Sequence, residues 1–175
     1  MKKFLIALFV ITGLAASARA VIIGAEAGYL LDSEEEYLSL RAGFELKAAG
    51  PASHQLELEI GHTDEHASSL KARLTPVTLN YRLQVAGTGK WGYYVGAGAG
   101  FARATIDGVS IAGPVRLRDN SFAAQGFAGV TYQAGPSTTL NLGAKYIWVD
   151  DMTFTGSTVE VGDDVAIQAG FSFRF

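Results

Sequence analysis

The chain contains no cysteine in 175 residues, which removes disulfide frameworks, thiolate metal sites and an acylated amino-terminal cysteine from consideration. Charge is also sparse: 14 Lys and Arg against 17 Asp and Glu leave a net charge of -3. Nothing here resembles the clustered basic footprint that neutralises phosphates, so nucleic-acid binding is set aside. Long apolar runs are missing after residue 20; no later stretch approaches the roughly 20 apolar residues that a spanning helix needs. The length suits one domain with a sizeable core or one membrane unit, not two domains. What is plentiful is glycine, 21 residues of it. Glycine weakens helices and strands alike, so this many must answer a steric demand somewhere.

The front of the chain reads as an address label. Lys2 and Lys3 precede an apolar stretch from Phe4 to Leu14, and small residues at Ala18 and Ala20 flank Arg19. This is the layout of a signal peptide, residues 1–20, with cleavage after Ala20. The apolar run is too short for a membrane anchor. Residues 21–175 then form a single exported domain.

From there the period is two. In "YLSLRAGFELK" (37–47), Leu38, Leu40, Ala42, Phe44 and Leu46 oppose Ser39, Arg41, Gly43, Glu45 and Lys47. "HQLELEIGH" (54–62) and "VTLNYRLQV" (77–85) repeat the scheme. The pattern predicts eight strands, at about 21–31, 37–47, 54–62, 70–85, 91–106, 120–134, 138–150 and 163–175. The fourth holds Pro76, where the apolar parity moves from Leu70, Ala72 and Leu74 to Val77 and Leu79; a bulge at the proline accounts for both. Tight turns ("AAGPAS", "VAGTGK", "AGPS") alternate with polar connections ("DSEEE", "TDEHASS") and two longer loops, 107–119 and 151–162.

Alternation alone leaves open which face meets water, since a soluble, lipocalin-like binding barrel gives the same pattern with its apolar face inward. Glycine decides. Gly24, Gly28, Gly43, Gly61, Gly96, Gly98, Gly100, Gly129, Gly143 and Gly170 share the face of the charges. On a solvated exterior they would weaken the sheet to no purpose, whereas in a narrow lumen they make room for long side chains. The apolar face therefore meets lipid, with Trp91, Tyr93, Tyr146 and Trp148 toward strand ends as aromatic girdles. No Lys or Arg falls at mid-strand on it; Arg103 has its parity but sits near the rim.

The carboxyl terminus, "DDVAIQAGFSFRF", sets Phe171, Phe173 and Phe175 on the apolar face and ends on an aromatic. The last strand must pair with the first, because an open sheet edge in lipid leaves backbone groups without partners. This strand resembles the assembly signal of outer-membrane proteins, and "YYVGAGAGFARA" and "TPVTLNYRL" are similar to strands of the OmpA/OmpX-type eight-stranded barrel superfamily. The resemblance spans residues 21–175. It implies an all-β, eight-stranded antiparallel up-and-down transmembrane barrel in the cell outer membrane of a double-membrane bacterium, inserted by the barrel-assembly machinery as a monomer, with outer-membrane lipid and lipopolysaccharide as its surroundings.

By parity the interior holds Glu26, Glu45, Glu57 and Glu59 beside Arg41, Lys47, Arg82, Lys145 and Arg174, with Asn80, Gln125 and Gln168 among them. Buried charges persist when paired and hydrogen-bonded, so near balance predicts a cross-braced plug, with a narrow porin-like ion path as the alternative. Other chemistry is thinly supported. "GAGAG" (96–100) is followed by more strand and not by a helix, so it fails as a phosphate loop. His62, Asp64 and His66 read as a solvated loop before a metal site, and no cofactor is expected. Glu34, Glu35, Glu36, Asp150, Asp151, Asp163 and Asp164 read as a solvated acidic rim, the alternative being divalent cations shared with lipopolysaccharide. A lipid A-modifying enzyme would have only His62 with Ser68 or Ser69 to work with, and no visible oxyanion hole. The reading is a non-enzymatic barrel with a structural or surface-interaction role.

Overall fold

The structure, a computed structural model, describes residues 20–67, 70–110, 113–154, 157–159 and 162–175, and every regular element among them is a strand. In chain order these are β1 (Val21–Leu30), β2 (Glu36–Ala49), β3 (Ala52–Ala67), β4 (Leu70–Ala86), β5 (Trp91–Ser110), β6 (Gly113–Gln133), β7 (Thr138–Val149), β8 (Met152–Phe154), β9 (Ser157–Val159) and β10 (Gly162–Arg174). β1 to β7 and β10 form one closed antiparallel barrel of eight strands, while β8 and β9 make a separate hairpin. Residues 1–19 of the expected signal segment lie outside the described residues.

Closure is made by β10 on β1, in a register that sets Ala25 opposite Phe171 and Tyr29 opposite Ile167. At the seam the Val21 amide donates to the Phe175 carbonyl at 3.1 Å and the Phe175 amide donates back at 2.9 Å. With its ladder complete around the circumference, the sheet has no edge to present to hydrocarbon. The start of β1 and the end of β10 share one end of the barrel with the β2–β3, β4–β5 and β6–β7 turns, two of which use Gly50 (φ 60°) and Gly89 (φ 68°) in the left-handed region.

The side chains divide as the glycines predicted. Outside, Leu40 is 67% exposed, Leu142 54% and Leu79 53%. A belt of such residues runs right round the barrel, far beyond the few hundred Å² of apolar patch that a water-soluble monomer shows, so the soluble arrangement with an apolar interior is not the one adopted. Inside, Glu26, Arg41, Glu57, Glu59, Arg82 and Lys145 are buried.

Three connections differ from the sequence reading. Strands β3 and β4 reach Ala67 and Leu70, and β5 and β6 run 20 and 21 residues to Ser110 and from Gly113, so much of "TDEHASS" and of 107–119 is paired strand. A tilted strand crosses a bilayer in about 9–11 residues, so these ribbons project well beyond it. Beyond the bilayer no lipid face forces an apolar alternation, and polar sequence passes for loop. The third difference is the β8–β9 hairpin inside 151–162, which buries Met152.

No bulge occurs at Pro76. The β4–β5 ladder passes through Thr75↔Arg103, Pro76↔Ala102 and Val77↔Phe101 without a shift. Apolar parity changes because Ala72, Leu74 and the buried Pro76 belong to the inward set, lining the upper lumen, while Val77 and Leu79 face lipid. The irregularity lies instead in β2–β3, between Glu45 and Lys47, where Lys47 pairs with His54.

Gly100 and Gly126 separate the two faces experimentally. A Cβ at Gly100 would strike the Val77 carbonyl and lie 2.8 Å from the Thr78 Cα, whereas one at Gly126 meets nothing within 4 Å. Gly100→Val is expected to cost about 1–3 kcal/mol through overpacking. Gly126→Ala is expected to be neutral. Urea titration of the refolded barrel, followed by the heat-modifiable gel shift of the folded form, measures both.

Candidate functional site

Six charged side chains on five strands converge in the lumen. Glu26 comes from β1, Arg41 from β2, Glu57 and Glu59 from β3, Arg82 from β4 and Lys145 from β7. All six have side chains no more than 2% exposed. Three carboxylates therefore meet three cations in a site closed to solvent, the condition under which buried charge persists.

Cross-strand pairing accounts for the first contacts. Arg41 and Glu59 are register partners on β2 and β3, yet Arg41 leans two pairs along to Glu57, with Nη1 2.6 Å from Oε1. Arg82 Nε donates to the other Glu57 oxygen at 3.1 Å, so that carboxylate is gripped from both sides. The two arginines also share Glu26, at 3.3 Å from Arg41 Nε and 3.5 Å from Arg82 Nη2. The Arg82 guanidinium carbon lies 4.3 Å from the Tyr94 ring centroid and 5.0 Å from that of Phe127. The ring faces add electrostatic support in a desolvated place.

The second half of the cluster is reached only across the barrel. Lys145 Nζ donates to Glu59 Oε1 and sits 3.8 Å from Glu26 Oε2. The other Glu59 oxygen accepts from Asn80 at 2.9 Å and from Gln125 at 3.0 Å. Gln125 donates as well to Asn80 Oδ1 at 2.9 Å, and Gln168 donates to Glu26 Oε2 at 2.6 Å. Tyr37 caps this layer, its hydroxyl donating to Glu59 Oε1 at 3.4 Å. Members from seven of the eight barrel strands tie opposite walls together, so none of those seven can move without breaking hydrogen bonds to a buried charge.

The remaining expected lumen residues stand apart. Glu45 accepts from Ser53 at 2.7 Å and pairs with Arg174, Nη2 to Oε2 3.0 Å, at the end that holds the termini. Glu45 is buried, but the Arg174 side chain is 55% exposed. The side chain of Lys47 lies outside the described residues.

Above the charged layer the lumen turns apolar, which the sequence reading missed. Leu30, Tyr37, Ala102, Ala123, Ile147, Val149, Met152 and Ala166 form a buried cluster, with Leu74, Ala104, Ile106 and Leu117 packed on it. Its signal was present in the sequence: the parity switch at Pro76, read there as a bulge, is the inward set becoming apolar. A cavity of about 350 Å³ lies against this layer at the loop end of the barrel.

Elsewhere, Trp91 and Tyr93 are exposed at the tight-turn end, Trp91 packing edge-on against Tyr132 at 5.0 Å. Tyr146 and Trp148 lie at the opposite end, Trp148 against Phe122 at 5.9 Å. Phe171, Phe173 and Phe175 all face outward on β10 and just past it, the first two in edge contact at 5.5 Å. His62 is 3.6 Å from Asp64, which also accepts from Arg73 at 3.0 Å. Ser68 and Ser69 lie outside the described residues, as does the side chain of His66. "GAGAG" falls wholly within β5.

A closed eight-stranded sheet of this kind also occurs in known proteins. Residues 10–175 match the outer membrane protein beta-barrel domain. The chain belongs to that family. It is a protein of the outer membrane. No curated protein sequence matches it. Among solved structures it is similar to Neisserial surface protein A, with 13% identity, TM-score 0.60, and coverage of 89% of this chain and 96% of that one. It is also similar to Ail of Yersinia pestis, in complex with the heparin analogue sucrose octasulfate (15% identity, TM-score 0.57, 89% and 97% covered). A third likeness is to the outer membrane enzyme PagL (10% identity, TM-score 0.50, 87% and 98% covered). At these identities the likeness is one of fold.

Lys145 tests whether the cluster is a brace. Lys145→Ala leaves Glu59 and Glu26 short of a cation in a dry site and is expected to cost about 3–5 kcal/mol. Lys145→Met combined with Glu59→Gln removes both charges and is expected to recover much of that loss. Equilibrium unfolding in lipid vesicles gives the comparison; equal losses in the two variants would speak against a charge brace.

Proposed function

We propose that this chain is a closed, non-enzymatic outer-membrane barrel with a structural and surface-interaction role, its lumen shut by the side-chain network. The observation that carries the reading is the balance of three carboxylates against three cations, all buried and spanning the bore. An eight-stranded interior is just wide enough for side chains to fill, and at the level of these charges it is filled. An open path would need water beside these charges and so some exposure of them. The protein acts as a monomer in lipopolysaccharide-containing membrane, and the strands projecting past the bilayer carry its outward contacts. Planar-bilayer recordings of the refolded protein are expected to show no steady conductance. A reproducible monomeric conductance favours the narrow-channel reading instead.

The likeness to PagL supports testing for lipid chemistry. His62, the one base nominated from the sequence, is half-exposed and faces Asp64, which suits a solvated rim. Incubation with lipopolysaccharide is expected to release no fatty acid, from the native protein or from His62→Ala. Release that His62→Ala abolishes would make the protein an enzyme.

Phe171, Phe173 and Phe175 serve as the assembly signal read by the barrel-assembly machinery, an assignment supported by their shared outward face on the closing strand. Deleting Phe175 is expected to lower insertion in cells while leaving detergent refolding of the purified chain largely intact. A parallel loss in both assays would mean that the residue acts on stability alone.

A further inference from the structure

The loop end of the barrel holds a cup of about 350 Å³, within the roughly 300–1,000 Å³ typical of small-molecule sites. Its walls are apolar and come from four strands: Leu30, Leu74, Ala104, Ile106, Ile147 and Val149. Tyr37 closes the bottom, its hydroxyl turned down to Glu59, so the cup is partitioned from the charged layer beneath.

The rim is polar and unevenly charged. Among the described residues, Asp32, Glu35, Asp163 and Asp164 line it with a single cation, Arg73. Arg73 is already spent on Asp64, at 3.0 Å. Asp164 is held by the Asp32 amide, the Ser33 amide and the Ser33 hydroxyl, at 3.0, 3.0 and 2.7 Å, and Asp163 neighbours Tyr146. Asp32 and Glu35 are different: among the described residues neither carboxylate has a partner. Both sit in the β1–β2 loop, at the lip of an apolar well. An apolar ligand with an anionic head would meet those two charges unfavourably, and a neutral one would leave them unused. A cationic head is complementary to them.

We infer that this cup binds a small cationic amphiphile, an apolar chain or ring that fills the well while a protonated amine lies against Asp32 and Glu35. The inference rests on the surface-interaction reading above and adds a ligand class to it. Conductance does not enter its test, so a failure here leaves the closed lumen standing, and an open lumen leaves this binding standing.

The test uses the full folded barrel in lipid nanodiscs, titrated calorimetrically with n-octylammonium, n-octanol and n-octanoate, with empty nanodiscs subtracted to remove partitioning. Octylammonium is expected to bind saturably, and octanoate about tenfold more weakly or worse, a factor of ten being about 1.4 kcal/mol. Ala104→Trp, which fills the well, is expected to abolish binding of the amine. The pair Asp32→Asn and Glu35→Gln is expected to bring the amine down to the level of octanol. The gel shift on heating reports folding of each variant; if Ala104→Trp does not fold, Ala72→Phe fills the same well from β4. Binding no greater than to empty nanodiscs, equal affinity for octanoate, or indifference to the filling substitution in a folded barrel would each overturn the inference.

Discussion

Everything in this molecule follows from the need to pair every backbone amide and carbonyl where no water can. In hydrocarbon an unpaired group costs several kcal/mol, so a sheet that crosses a membrane must have no edge. Here that requirement is met where Val21 and Phe175 exchange hydrogen bonds and β10 lies against β1. The register of that seam sets the circumference. The circumference, in turn, leaves an interior with room for side chains and little else.

That small bore explains the glycines and the charges together. Inward glycines lie where a Cβ would strike a neighbouring strand or a luminal side chain: Gly100 beneath the Val77 carbonyl, Gly24 against Arg41, Gly170 against Glu26. The space they release is taken by long charged residues that reach across and lock opposite walls. Desolvating six charges is expensive, and only near-complete mutual pairing offsets it. The same desolvation makes the layer intolerant of single changes. It also allows an apolar layer above, built from Leu30, Ile147, Val149 and Met152, which needs no partners and lines the cup at the loop end.

Much of this was legible in the chain. Period-two alternation is a direct consequence of strand geometry, so inside and outside could be assigned residue by residue wherever the two sides differ in solvent. Leu38, Leu40, Glu57, Glu59 and Arg82 all lie on the side that parity assigns them. Legibility failed where the solvents stop differing. The upper parts of β3 to β6 run on past the length that crosses a bilayer, where no lipid face enforces alternation, so strand was read as loop. Around Pro76 the inward face turns apolar like the outward one, so parity seemed to slip although the ladder is continuous.

The sequence by itself determined the eight barrel strands, their facing and the balance of charge destined for the interior, because these depend on neighbours two residues apart. Only the tertiary structure decided which acid meets which base. Lys145 and Glu59 are 86 residues apart, Gln168 and Glu26 142. Such pairs are set by the curvature and stagger of the closed sheet, which carry side chains on distant strands to the same height on the barrel axis. For the same reason Glu45 and Arg174 form a pair of their own at the terminal end, and the cup with its acidic lip came into view only once the strands were rolled together.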